Sequence, residues 1–395
     1  MVRVIRGHVL EELRRLPDEC VDCVVTSPPY YGFRVYPGAE AVWGGAEGCP
    51  HSFTPDSRGG AVCNMCGAWR GQLGREPDPH TYIEHLLAVG DELKRVLKGT
   101  GTLFWNMGDT YAGRRQSGAA PPKSLMLIPE RFAIGMVERG WILRNKVIWV
   151  KTNALPSSSP DRFSNKWEYV FFFVKSRKYY FDLDAVRKPY SDPARFLRAF
   201  SGRRYTQAEA QEAFLGRIPG ILLRSQPNLR RLIGEVGSGL PLRGATRGAV
   251  TPRGSGGGTT TRVDGYLPLD RFLPVQAASA AGGVDDAFSF TGALLGRGAN
   301  PGDVIQTAKS QHSLPHFACY PESLIAPLII AGCPPGGVVL DPFAGSGTTG
   351  LVAEALGRSS IMVEVSEKYV DIIKRRISPD AVEDVKRLLR ARGLL

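Results

Sequence analysis

The chain has 395 residues, 43% of them hydrophobic, enough to bury the core of one large α/β domain together with a second module. No apolar run is long enough for a membrane-spanning helix, and residues 1–10 lack the apolar core of a secretory signal, so the chain is expected to stay in the cytoplasm and off membranes. The formal net charge of +12 admits a polyanionic partner without requiring one, and seven cysteines are too few for a disulfide framework in a chain this long.

In chain order, Val2 to Ile5 reads as a short strand, Val9 to Leu16 as a helix and Val21 to Thr26 as an apolar strand. That strand runs into Ser27-Pro28-Pro29-Tyr30, where two prolines stop it because proline lacks a ladder donor. Residues 43–75 are rich in Gly, Cys and polar side chains and read as an inserted loop module. The spacing of Ile83, Leu86, Leu87, Leu93, Val96 and Leu97 predicts an amphipathic helix over His80 to Lys98, stopped by Gly99 and Gly101. Thr102 to Asn106, Val147 to Val150 and Tyr169 to Val174 follow as strands.

Residues 191–300 differ in character: they hold fourteen Arg, no Lys and eight acids, and Thr251 to Thr261 is of low complexity. The α/β pattern then returns, with strands over Val338 to Leu340 and Ser360 to Val363 and helices over Thr348 to Leu356, Lys368 to Arg376 and Asp380 to Arg392. Alternating strands and helices predict an α/β fold, doubly wound around a mostly parallel sheet.

Asp341-Pro342-Phe343-Ala344-Gly345-Ser346-Gly347-Thr348-Thr349-Gly350 links a predicted strand to a predicted helix, where glycines let a ligand approach the backbone. A phosphate-binding P-loop would need a lysine before the Ser/Thr, and there is none. Gly345, Gly347 and Gly350 match the dinucleotide spacing, a weak signal alone. Glu364, nineteen residues after Gly345, suits the ribose hydroxyls of either NAD or S-adenosylmethionine. The acid ahead of the loop, Asp341, favours S-adenosylmethionine, whose ammonium it can hold.

Ser27-Pro28-Pro29-Tyr30 also ends a strand. A base amine can donate one hydrogen to Ser27 and the other to the Pro28 carbonyl, which exposes the nitrogen lone pair. Tyr30 can stack on a base turned out of a duplex. A proline turn of this kind is usually only a turn, and its pairing with the glycine loop is what makes it catalytic in prospect.

The two motifs together resemble the signature of the DNA amino-methyltransferases of restriction-modification systems, with the catalytic motif first, as in their beta class. The resemblance covers residues 1–190 and 302–378. It implies the fold of S-adenosylmethionine-dependent methyltransferases, with 1–190 as the catalytic half, 191–300 as target-recognition region and 301–395 as the cofactor-binding half with a C-terminal helix. It implies catalytic roles for Ser27, Pro28, Pro29 and Tyr30. Cofactor contacts are implied for Thr26, Phe317, Pro321, Asp341, Phe343, Gly345, Ser346, Gly347, Thr348, Thr349 and Glu364. Asn106-Met107-Gly108-Asp109 resembles a further strand end near the pocket. Members with Ser at position 27 usually methylate cytosine N4, whereas Asp is usual for adenine N6. The expected reaction is therefore site-specific N4 methylation of a flipped-out cytosine in double-stranded DNA. Adenine N6 methylation is the first alternative and a non-catalytic DNA-binding protein on the same scaffold the second. A cognate restriction endonuclease is implied as a partner not needed for activity, and the chain is expected as a monomer or homodimer.

Cys49, His51, Cys63 and Cys66 have the spacing of a tetrahedral Cys₃His zinc site, which would order residues 43–75 without supplying catalysis. Cys20-x-x-Cys23 is discounted because Cys23 falls within an apolar strand. His312 and His316 are separated by Pro315 and do not read as a metal pair, and Cys319 and Cys333 read as packing residues. In the arginine-rich middle, Arg203, Arg204, Arg230 and Arg231 are the candidate DNA contacts, since guanidinium forks suit phosphates and guanine.

Overall fold

An eight-stranded sheet organises the computed structural model. The described residues are 1–36, 38–56, 58–113, 120–154, 159–188, 299–308 and 320–395. Within them the elements are β1 Val2–Arg6, α1 Val9–Arg14, β2 Val21–Thr26, β3 Glu40–Trp43, β4 Phe53–Pro55, β5 Ala61–Cys63, β6 Trp69–Gln72, α2 Pro79–Val96, β7 Leu97–Met107, α3 Ile128–Glu138, β8 Ile142–Lys151 and β9 Trp167–Val174. After a 3₁₀ turn at Asp184–Val186 come β10 Val304–Thr307, α4 Glu322–Gly332, β11 Val338–Asp341, α5 Thr348–Ala355, β12 Ser359–Glu364, α6 Glu367–Arg376 and α7 Pro379–Ala391.

The large sheet has the order β1-β12-β11-β2-β7-β9-β8-β10, and all its neighbours pair in parallel except those of β9, which runs against both β7 and β8. The strands have apolar residues on both faces, as a sheet buried on both sides requires. In β9, Phe171 and Phe173 enter the core shared with α1, α2 and α3, while Val170, Phe172 and Val174 enter the core shared with α4, α5 and α7. Each large side chain buried this way contributes about 1.5–3 kcal/mol. The outcome is the expected mixed α/β architecture with a large, mostly parallel sheet.

Two local expectations change. Helix α2 is capped by Asp78, whose carboxylate accepts the Thr81 N–H at 3.0 Å, and Pro79 occupies the first turn. It ends at Val96, not at Gly99, because Leu97 already has extended backbone and begins β7. Gly99 and Gly101 thus lie inside a strand, and a Cβ on Gly101 would sit 3.0 Å from the Asp22 carbonyl of neighbouring β2. Residues 43–75 are also more than a loop. With Glu40–Trp43 they form a four-stranded antiparallel sheet, β3-β6-β5-β4.

Residues Met1–Val186 and Asn300–Leu395 form one compact unit, and Arg187–Ala299 form a second. In the second unit Lys188 and Ala299 make an antiparallel bridge, each N–H donating to the other's carbonyl. Among the described residues no helix is long and apolar enough to cross a membrane.

Candidate active site

Strand β2 is buried throughout and delivers Ser27 to its carboxyl end, where Pro28 and Pro29 end the ladder. The turn is fixed from behind. The Tyr82 hydroxyl donates to the Pro29 carbonyl at 2.8 Å, and the Gly32 N–H donates to the Gly74 carbonyl at 2.8 Å. Gly74 has φ +89°, and a Cβ there would lie 2.7 Å from the Tyr30 carbonyl, so only glycine lets the segment after β6 close on the turn. Among the described residues no donor pairs with the Pro28 carbonyl.

The Ser27 hydroxyl donates to the Tyr30 hydroxyl at 3.4 Å. The Tyr30 proton has two acceptors in reach, Glu168 Oε2 at 2.9 Å and Asn106 Oδ1 at 3.0 Å. Burial, reinforced by the Glu168 charge, pushes the Tyr30 phenol well above its ordinary range, so it stays protonated. Glu168 in turn is ion-paired with Lys151.

The glycine loop is organised by Asp341 at the end of β11. Its carboxylate is 1% exposed and accepts Thr26 Oγ1 at 2.7 Å, Thr349 Oγ1 at 2.6 Å, Tyr320 OH at 2.9 Å and the Phe343 N–H at 3.1 Å. Burial raises its pKa against these four donors. Asp341, expected to face a ligand ammonium, is therefore turned inward, where it ties the end of β11 to β2 and α5. Helix α5 starts from Gly347, which has φ +82°, and a Cβ there would press on Ile373 of α6 at 3.0 Å. Arg376 clasps the loop from α6. It donates to Ser346 Oγ at 2.8 Å and Thr348 Oγ1 at 2.7 Å, and pairs with buried Glu322 at 2.8 Å.

Glu364 at the end of β12 accepts the Gly345 N–H and the Ser366 N–H, each at 2.9 Å. Burial pushes its carboxyl up to about 7, opposed by those amides and aided by the Asp341 charge. The ordinary value is 4.5. Between the two the folded chain holds a proton that the unfolded chain has released, so this group's contribution to stability is lost as pH rises towards about 7. Thermal melts of the unliganded protein across this window should show the decline, and Glu364→Gln should remove the part due to Glu364.

Both motifs open on one cavity of about 600 Å³, within the range of small-molecule sites. Ser27, Pro28, Pro29, Tyr30, Phe343, Gly345, Ser346, Thr348 and Glu364 line it. Thr26, Asp341, Gly347, Thr349 and Pro321 do not line it; Thr26, Asp341 and Thr349 meet in the hydrogen-bond cluster just described. Phe317, His312, His316, Cys319 and the four arginines Arg203, Arg204, Arg230 and Arg231 lie outside the described residues. Asn106 lines the cavity, and so does Asp109, which accepts the Leu127 and Ile128 N–H groups at 3.0 and 3.1 Å at the start of α3. Lys151, Glu168 and Tyr320 also line it and were not legible as site residues.

The antiparallel module gathers Cys49 Sγ, Cys63 Sγ, Cys66 Sγ and a ring nitrogen of His51 within 4.8 Å of one another. Cys49 and Cys63 sulfurs are 3.9 Å apart, and Cys66 Sγ is 3.4 Å from His51 Nδ1. Tetrahedral zinc with Zn–S bonds of about 2.3 Å needs sulfurs about 3.8 Å apart, so the four ligands fit that ion. The module packs on the main core through Trp43 and Trp69, whose rings stack on His85 at 5.2 and 5.8 Å. Cys23 and Cys333 are buried in the apolar core.

A family model described as DNA methylase matches residues 21–375. The Type II methyltransferase M.SfiI of Streptomyces fimbriatus is 30% identical, over 92% of this chain and 88% of its own length. The Type II methyltransferase M.SmaI of Serratia marcescens is 26% identical, over 95% of this chain and 90% of its own. Among solved structures, the fold is similar to that of the PvuII DNA methyltransferase, described as cytosine-N4-specific, with a TM-score of 0.50 and 17% identity over 100% of this chain and 92% of that one. With the family match running through both motifs of the cavity, the chain belongs to the N6/N4 DNA methylases and is a DNA methyltransferase.

Proposed function

We propose that this enzyme transfers a methyl group from S-adenosylmethionine to the N4 amine of a cytosine turned out of double-stranded DNA. The observation that carries the reading is the shared cavity. Its wall carries both the Ser27 hydroxyl with Pro28, whose carbonyl has no donor among the described residues, and the glycine loop with the Glu364 carboxylate. The residues present fit the cofactor. Glu364 can accept ribose hydroxyls, Phe343 and Tyr320 offer ring surface, and the loop from Gly345 to Thr348 lets a ligand lie against backbone, while Thr26, Asp341, Gly347 and Thr349 hold that loop in place. Phe317 and Pro321 are assigned to the cofactor side by the family resemblance alone. When bound, the cofactor supplies an electrophilic sulfonium methyl group.

The protein's part is positioning. Ser27 Oγ accepts one amine hydrogen and Pro28 O the other, which aims the nitrogen lone pair out of the plane of the base, and Tyr30 packs against the base. Placing the reacting atoms in line supplies most of the acceleration. Ser27 is the reason for choosing cytosine, since Ser at this position goes with N4 methylation in the family. Residues 191–300 serve as the target-recognition region, with Arg203, Arg204, Arg230 and Arg231 on DNA. The alignment with Type II methyltransferases supports a role in self-marking beside a restriction endonuclease.

Incubation with unmethylated duplex DNA and S-adenosylmethionine, then nucleoside digestion and mass spectrometry, tests the reaction. N4-methylcytosine is expected. N6-methyladenine would overturn the base and keep the chemistry, and no methylated nucleoside from protein that binds the cofactor would favour a non-catalytic DNA-binding protein.

The Cys49, His51, Cys63 and Cys66 cluster is a structural zinc site in this proposal, with all four positions filled by protein. Metal analysis of the purified chain should find stoichiometric zinc. Cys63→Ser should lose it, and limited proteolysis should then cut within 43–75 first.

A further inference from the structure

The turn that holds the amine leaves the rest of the base edge unread, and one cation in the cavity is placed to read it. Lys151 ends β8, and Glu168 lies on the neighbouring antiparallel strand β9, in register with Trp149. Both side chains are only 16% exposed, and both line the cavity. Glu168 is spent on its neighbours: Oε1 pairs with Lys151, and Oε2 accepts the Tyr30 hydroxyl at 2.9 Å. Lys151 is not spent. Its ammonium has three protons, and its partners among the described residues are one carboxylate and the face of the Trp149 ring, 4.6 Å from the centroid. Trp149 cannot take a proton from it as a hydrogen-bond acceptor, since its indole N–H is a donor and already bonds Thr307 Oγ1 at 2.8 Å. Half-buried on the cavity wall, the ammonium can give its remaining donors to a ligand that enters the cavity.

Ser27, Tyr30, Glu168 and Lys151 form one continuous chain of contacts along the cavity wall, with Ser27 at one end and Lys151 at the other. A cytosine with its amine on Ser27 and Pro28 carries its 2-carbonyl, an acceptor, at the opposite end of the same edge. Adenine has C–H at the corresponding ring position and gives a cation nothing to bind. We propose that Lys151 donates to the cytosine 2-carbonyl and is a specificity-determining residue of the enzyme, with Glu168 the positioning residue that holds both Lys151 and Tyr30. The assignment rests on the cytosine reading above.

The test uses the full-length enzyme and a duplex carrying the site that it methylates. A second duplex has, at the target, a 2-aminopyridine C-nucleoside, which keeps the amine and the ring nitrogen beside it, carries the sugar on carbon and has C–H where cytosine has its 2-carbonyl. Wild type should lose kcat/KM on the analogue by on the order of 10- to 100-fold, the loss typical of a charge-assisted hydrogen bond. Lys151→Met should lose a similar factor on cytosine and little more on the analogue, because donor and acceptor remove the same interaction. Cofactor affinity should be unchanged. Since Lys151→Met strands the Glu168 charge, Lys151→Met with Glu168→Gln is compared on both duplexes where the single variant folds poorly, and should likewise fail to tell them apart. Losses that multiply would overturn the assignment while leaving the cytosine reading intact. An N6-methyladenine product would overturn both.

Discussion

Replacing Ser27 with alanine should lower kcat by on the order of 100-fold or more, comparable with the removal of one positioned polar group from other active sites. The hydroxyl stands at the cavity end of β2 and donates to Tyr30, which leaves its lone pairs for the amine. Alanine removes that acceptor and leaves Pro28 to hold the amine by one hydrogen. The lone pair is then no longer aimed, and the transition state loses more than the ground state does. Cofactor affinity should not move, because the Ser27 side chain bonds to Tyr30 and makes no hydrogen bond to the glycine loop among the described residues. Single-turnover methylation and cofactor titration separate the two effects. A variant with unchanged kcat would remove the Ser-Pro-Pro-Tyr turn from the mechanism. A variant that bound cofactor poorly would show that the turn and the loop are coupled through Thr26.

Asp341→Ala should destabilise the protein by about 4 kcal/mol, since it removes the acceptor shared by three hydroxyls and one amide, of which only the Tyr320 and Thr349 hydroxyls keep a bond, to each other. The loss falls at the joint between β2, β11 and α5, so both motifs should loosen together. Asp341→Asn should cost much less. Its carbonyl still accepts from Thr26 and Phe343, and the Thr349 hydroxyl can turn to accept from the new amide. Urea unfolding midpoints for the pair check this. Equal midpoints for Ala and wild type would mean that the four hydrogen bonds are not what holds the loop.

Both motifs were legible because proline and glycine carry backbone meaning that survives without tertiary information. The direction of Asp341 was not, since its partners Thr26 and Tyr320 come from distant segments and Thr349 from the following helix. The strands of residues 40–72 went unseen because runs of three or four residues show no period. Helix α4 has almost every residue buried and Pro327 inside it, so it offers no apolar stripe to find. Lys151 and Glu168 are seventeen residues apart, and only the pairing of β8 with β9 sets them side by side. The cysteine cluster was the easiest to read, because its two pairs each lie within three or four residues.

The hydrogen bond from Thr26 to Asp341 joins residues 315 apart in the chain. At ribosomal speeds of about 5–20 residues per second, roughly 15–60 s separate the two during synthesis. For that interval β2 has one edge, the side later taken by β11, open to any other strand, and the edge is apolar on both faces. The nascent chain is therefore exposed to misassembly for most of its own translation. Slower synthesis lengthens the risk, and a chaperone that covers an open strand edge reduces it.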